Sequence, residues 1–154
     1  MLTNLALLAL AAALPAASAV GKARVVNRCA ETVHLWSVGS QVAGPYALST
    51  NGYYAEEFVK DPVTGGKALK ITRNADGLYT GAPQTIFAYN LDGDKIWYDL
   101  SDVFGDPFAG RKVVVSSAEQ TCPSIIWPTG VPPAGSQVKV CTAAKDVTLT
   151  LCAP

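Results

Sequence analysis

The chain has one histidine, one methionine and no CxxC pair, and these shortages close off several kinds of chemistry. Without a second histidine or cysteines at ligand spacing, a zinc site lacks donors. His34 follows Val33 in a predicted strand and is expected on its solvent face, with no Ser, Cys or carboxylate assignable as a catalytic partner. Twelve basic and twelve acidic residues cancel, leaving no electrostatic footprint for nucleic acid or an anionic membrane, and neither partner is expected. Thr64-Gly65-Gly66-Lys67 lacks the Ser/Thr ending and following helix of a nucleotide loop, and no cofactor is expected. Asn90, Asp92 and Asp94 alternate oxygens as a calcium loop does, but the glycine and distal Glu are missing, so no metal is expected and the segment reads as a hairpin tip. There is no Asn-x-Ser/Thr acceptor. Beyond the first twenty residues no window keeps a helical apolar period, so helix should be scarce.

Residues 5–19 are apolar, uncharged and too short to cross a bilayer, and they close on Ala17-Ser18-Ala19, the small-x-small pattern of a signal-peptidase site. Residues 1–19 are therefore expected to be a secretory leader, although no Lys or Arg precedes the apolar stretch. Residues 20–154 have the size of one ordinary domain, secreted and able to bury about two-thirds of its unfolded surface as a monomer. The four cysteines, Cys29, Cys122, Cys141 and Cys152, read as two disulfides, for which three connectivities are open. We expect Cys29 with Cys152 and Cys122 with Cys141, the first of which ties the chain ends together.

Runs rich in β-branched and aromatic residues recur at 23–27, 32–38, 53–58, 67–72, 85–91, 95–100, 112–116, 137–141 and 147–152, separated by Gly, Pro, Asn and Asp. Short strands at this spacing predict an all-β sandwich or barrel. Asp92-Gly93 marks a tight hairpin whose central residues tolerate positive φ, and Asp76-Gly77 is a weaker second case. Pro128, Pro132 and Pro133 predict an extended loop after Trp127.

The hairpin runs into a segment carrying Asp99, Asp102 and Asp106 beside Tyr98, Phe104 and Phe108. Carboxylates among large apolar side chains serve as general acid and base or as acceptors for sugar hydroxyls. They also cap turns, and Asp106-Pro107 is a usual turn opening. In Lys95-Ile96-Trp97-Tyr98 the strand period puts Trp97 and Tyr98 on opposite faces, so one of them is a candidate stacking platform for a pyranose ring.

The opening ARVVNRCAETVHLWSVG, with Val25, Asn27, Cys29, Val33 and Trp36, resembles the first hairpin of thaumatin-like proteins. DPVTGGKALKI, WYDLSDVFGDPFAG, CPSIIWPTGVPP and the closing VKVC and DVTLTLC extend the resemblance to the Blastomyces yeast-phase-specific (CetA-like) branch of that superfamily. The resemblance implies an antiparallel β-sandwich stapled by disulfides with the terminal pairing above. It also implies a secreted protein of the fungal wall, linked to wall integrity and spore germination.

Active thaumatin-like glucanases place several acids in a cleft. Carried over by residue, one of those acids is Asp99 and a serine is Ser101, while the family's Glu falls on Ala88 and its second Asp on Phe104. The cleft arginine has no counterpart. The reading that follows is a wall protein that binds β-glucan without cutting it, using Asp99, Asp102, Asp106, Trp97 and Tyr98. The alternatives are a weak endo-β-1,3-glucanase using Asp99 with Asp102 or Asp106, and a secreted antigen or host-interaction protein.

Overall fold

The computed structural model describes residues 12–14 and 19–154, so the expected leader falls largely outside the described residues. Eleven strands form the domain: β1 (Lys22–Asn27), β2 (Val33–Val38), β3 (Val42–Leu48), β4 (Tyr53–Glu57), β5 (Lys67–Thr72), β6 (Gln84–Asp92), β7 (Lys95–Val103), β8 (Val113–Ser117), β9 (Ile125–Trp127), β10 (Lys139–Thr142) and β11 (Val147–Leu151). One short helix, α1 (Gly77–Thr80), lies between β5 and β6. A five-stranded sheet, β4-β1-β11-β8-β9, packs on a six-stranded sheet, β10-β7-β6-β5-β2-β3.

Period-two alternation builds the core, because every second side chain of a strand faces the opposing sheet. In the smaller sheet Val25, Leu149, Val115 and Ile125 stand in one register row. Leu69, Phe87 and Leu100 form the facing row of the larger sheet. All seven are buried. Burying each large apolar side chain stabilises the fold by about 1.5–3 kcal/mol.

The sandwich is antiparallel with one exception: β1 and β11 run parallel, with Val25 opposite Leu149. This pairing brings the ends of the domain together, and the expected Cys29–Cys152 disulfide closes beyond it across a separation of 123 residues. Cys122–Cys141 is the second bridge and pins the proline-rich loop to β10. Asn27, fully buried at the end of β1, explains the Asn-x-Cys spacing. Its Nδ2 donates to the carbonyls of Glu31 and Leu48 (2.8 Å each), and its Oδ1 accepts the Cys29 amide at 2.9 Å. One side chain thus serves three backbone groups, two in the β1–β2 loop and one at the end of β3.

Several boundaries differ from expectation. β3 contains Gly44-Pro45, which reads as a break, yet it is an edge strand, where a residue without an amide hydrogen is tolerated. β9 is only three residues long, too short to stand out. The β6–β7 turn sits one residue later than expected: Asp92 pairs with Lys95, leaving Gly93 and Asp94 as central residues, and only Gly93 has positive φ (59°). Asp76-Gly77 opens α1 instead of a hairpin.

Asn27→Ala is expected to lower unfolding free energy by about 2–4 kcal/mol, since it strands buried backbone groups as well as removing bonds. Denaturant unfolding of the oxidised protein measures this; a loss below about 0.5 kcal/mol would show that the amide is dispensable.

Candidate functional site

The outward face of the larger sheet carries an open groove of ≈ 470 Å³. Its floor is a register row running Asp99, Ala88, Ala68, Val38 across β7, β6, β5 and β2. Two alanines in the middle of that row leave the sheet surface low and flat. Trp97 stands two residues from Asp99 on the same face, opposite Asn90, and is 43% exposed. Lys70 lines the other side, and Gly39, Thr64, Gly66 and Val138 close the ends. Asp99 accepts the Leu100 amide at 2.8 Å and is the only carboxylate among the described residues that line the groove.

The three predicted acids do not share this groove. β7 continues to Val103, three residues beyond the expected end, so the alternation that turns Asp99 outward turns Asp102 inward with Tyr98 and Leu100. Tyr98 is fully buried, its hydroxyl donating to the Pro123 carbonyl. Trp97 is therefore the aromatic that reaches solvent. Asp106 lies in the following loop, against Asp102.

Asp102 has an unusual environment. Thr85 Oγ1 donates to its Oδ1 at 2.6 Å, while Oδ2 is buried with no donor among the described residues. Burial pushes the Asp102 carboxyl up to about 7, and Asp106 adds to the shift. Asp102 faces the core while Asp106 is exposed on the following loop, so the two do not face a common groove as a glycosidase pair does.

A polar cluster that the sequence did not flag crosses the gap between the sheets. Glu56, on β4, accepts from Ser37 Oγ (2.7 Å), Tyr54 OH (2.7 Å) and Tyr89 OH (2.6 Å), and pairs with Lys67 at 3.2 Å. Burial pushes this carboxyl up, but the hydroxyl bonds and Lys67 outweigh it and hold it below the ordinary value. Lys67 also lines the groove, so its charge is neutralised from inside the sandwich. The signal was faint: within Tyr-Tyr-Ala-Glu-Glu, alternation turns Glu56 inward with Tyr54, but nothing in the sequence names its partners.

Two packed sheets, the parallel pairing of first and last strands and the two disulfides define the thaumatin-like fold. The chain matches the Blastomyces yeast-phase-specific protein family over residues 10–153, and it belongs to that family. It is 30% identical over 162 residues to an antigenic thaumatin-like protein of Arthroderma benhamiae, covering 97% of this chain and 81% of the relative. It is 26% identical over 161 residues to the secreted thaumatin-like protein calA of Emericella nidulans, covering 95% of this chain and 92% of the relative. Among solved structures, the protein elicitor MoHrip2 of Magnaporthe oryzae superposes with a TM-score of 0.71 at 24% identity, covering 86% of this chain and 99% of that one. The thaumatin-like xylanase inhibitor TLXI superposes at 0.56 with 12% identity, covering 85% and 99%. These superpositions show the fold.

The Asp102 proton makes stability depend on pH. Its folded value lies above its ordinary one of 3.8, so the contribution is full at low pH and is lost as pH rises toward and through about 7. With allowance for partial solvent contact, a fall of about 1–2 kcal/mol is expected between pH 5 and 8. In Asp102→Asn the amide mimics the protonated carboxyl, and the fall should vanish. Parallel denaturation curves for both proteins across this range test it, and an undiminished slope in the variant would refute the assignment.

Proposed function

We propose that this is a secreted protein of the fungal wall that binds β-glucan in the outward groove without cleaving it. The observation that carries this reading is an exposed Trp97 beside a single carboxylate, Asp99, over a flat Ala88–Ala68 floor. A pyranose ring stacks its C–H face on an indole while its hydroxyls donate to a carboxylate. Asn90 supplies a further donor and acceptor, and Thr64 a hydroxyl. Lys70 balances Asp99, which suits an uncharged polymer better than a charged one.

Glycoside hydrolysis normally needs two carboxyl groups about 5–5.5 Å or about 6.5–9.5 Å apart across the scissile bond. The lining offers Asp99 alone, with Asp102 turned to the other side of the sheet. Secretion is supported by the leader-like first nineteen residues and by a relative named as secreted.

The test incubates oxidised residues 20–154 with insoluble β-1,3-glucan and with chitin, following both depletion from solution and release of reducing ends. Depletion by the glucan without release is expected. Trp97→Ala should weaken it about tenfold, through loss of stacking area, and Asp99→Asn about two- to fivefold. Reducing ends released by the wild type but not by Asp99→Asn would identify an enzyme instead. Depletion by neither solid would overturn polysaccharide binding and favour a protein target.

A further inference from the structure

The three tryptophans have different surroundings. Trp97 is exposed in the groove. Trp127 is buried, and its Nε1 donates to Gln137 Oε1 at 3.1 Å, as a core indole normally requires. Trp36 is also fully buried, yet its Nε1 meets no acceptor among the described residues. A sealed, unpaired N–H is costly, because it has given up water without gaining a partner.

Trp36 does not belong to the core between the sheets. In β2 the inward residues are Val33, Leu35 and Ser37, so Trp36 projects from the outward face with Val38. It stands directly opposite Lys70, and both Lys70 and Val38 line the groove. Trp36 therefore lies just beyond the groove's lining, past Lys70 and diagonally away from Trp97. The register separates the two tryptophans by three strands and four residues, a diagonal of about 20 Å, which several pyranose units would span.

Trp36 is flanked on the β3 side by Gly44, where a Cβ would come within 3.2 Å of its Cδ1, and on the other side by a cover. Residues 73–82, including α1, fold over this end of the sheet, and Tyr79 meets Trp36 edge-on at 6.5 Å between ring centroids. Tyr79 is itself 74% exposed. Among the described residues, the hydrogen bonds of 74–82 are all made within residues 72–82: Thr72 Oγ1 and the Gly77 amide to Asn74 O, the Tyr79 and Thr80 amides and the Thr80 hydroxyl to Asp76 O, and the Gly81 and Ala82 amides to Gly77 O. Arg73, at the base, pairs with Glu31. Beyond its base, where Thr72 Oγ1 of β5 donates to Asn74 O and Arg73 pairs with Glu31, the cover is held to the sheet by packing among the described residues. A second orphan, Gln84 Oε1, is buried where the cover rejoins the sheet, on the same outward face by alternation.

We propose that Trp36 is a second saccharide-stacking subsite, closed in the free protein by the 73–82 cover and opened by a β-glucan chain long enough to run from Trp97 along the groove. Opening releases the indole N–H from its unpaired burial and lets it donate to a sugar oxygen or to water, so the orphan group lowers the cost of displacement. This inference rests on the glucan-binding reading of the groove.

The test uses the oxidised protein with soluble β-1,3-glucan oligosaccharides of three and of seven units, monitored by the indole N–H resonances in NMR and by calorimetric affinity. Trp97 should shift with both oligosaccharides, and Trp36 only with the longer one. Tyr79→Ala changes an exposed side chain and loosens the cover. It should raise affinity for the longer oligosaccharide about three- to tenfold while leaving the shorter unchanged. If Trp97 shifts with both but Trp36 with neither, and the variant gains nothing, the subsite is refuted while the groove stands. If Trp97 also fails to respond, both readings fall.

Discussion

The side-chain period of β7 is the constraint on which the rest turns. Consecutive residues of a strand must face opposite ways, and β7 stays in register with β6 from Lys95 to Val103. Ile96, Tyr98 and Leu100 fill the core, so Trp97 and Asp99 are obliged to face out. The same rule sends Asp102 inward, where it gains Thr85 as a donor and loses most of its water. Three acids close in sequence thus become two separate chemical environments. Outside is a carboxylate in a groove beside an exposed indole; inside is a carboxyl that burial pushes toward its protonated form.

A groove on an outer sheet face keeps its shape only if the sheet is held rigidly. The larger sheet is held from below by its core rows and from the side by Glu56, which reaches across from β4 to side chains on β2, β5 and β6. A buried carboxylate of this kind is favourable only when its lone pairs are filled, and three hydroxyls and an ammonium fill these. The Cys29–Cys152 bridge and Asn27 secure the β1–β11 pairing in the opposite sheet. By chain-entropy reasoning the long loop closed by that bridge is worth about 5 kcal/mol. The polar and covalent ties thus lie mostly at the ends and edges of the sandwich, leaving the centre to apolar packing.

The alternating segments made the sandwich legible, and so did the cysteine count, because period and redox state are local properties. β3 was hidden because Gly44 and Pro45 signal a break unless the strand is known to lie at an edge, and edge position is a property of the assembled sheet. Asp102 was misplaced for a related reason. Ser101 and Asp102 are weak strand formers, and the ladder reaches Val103 because Gln84 and Thr85 supply partners. Trp97 as an outward aromatic followed from alternation alone once Tyr98 was taken as core. Glu56 was beyond reach, since its partners Ser37, Lys67 and Tyr89 come from three separate strands.

Burial alone would place Trp36 and Trp127 together as core residues. The accounting of their polar atoms separates them. Trp127 lies in the core cluster with its N–H paired, whereas Trp36 projects from the wrong face for that cluster and leaves its N–H unpaired. A residue covered from outside by a segment bonded almost wholly to itself has a different energetic status from one enclosed by two sheets. Uncovering Trp127 requires separating the sandwich. Uncovering Trp36 requires moving residues 73–82, a segment whose packing on Thr72 and Trp36 is opposed by the unpaired indole beneath it.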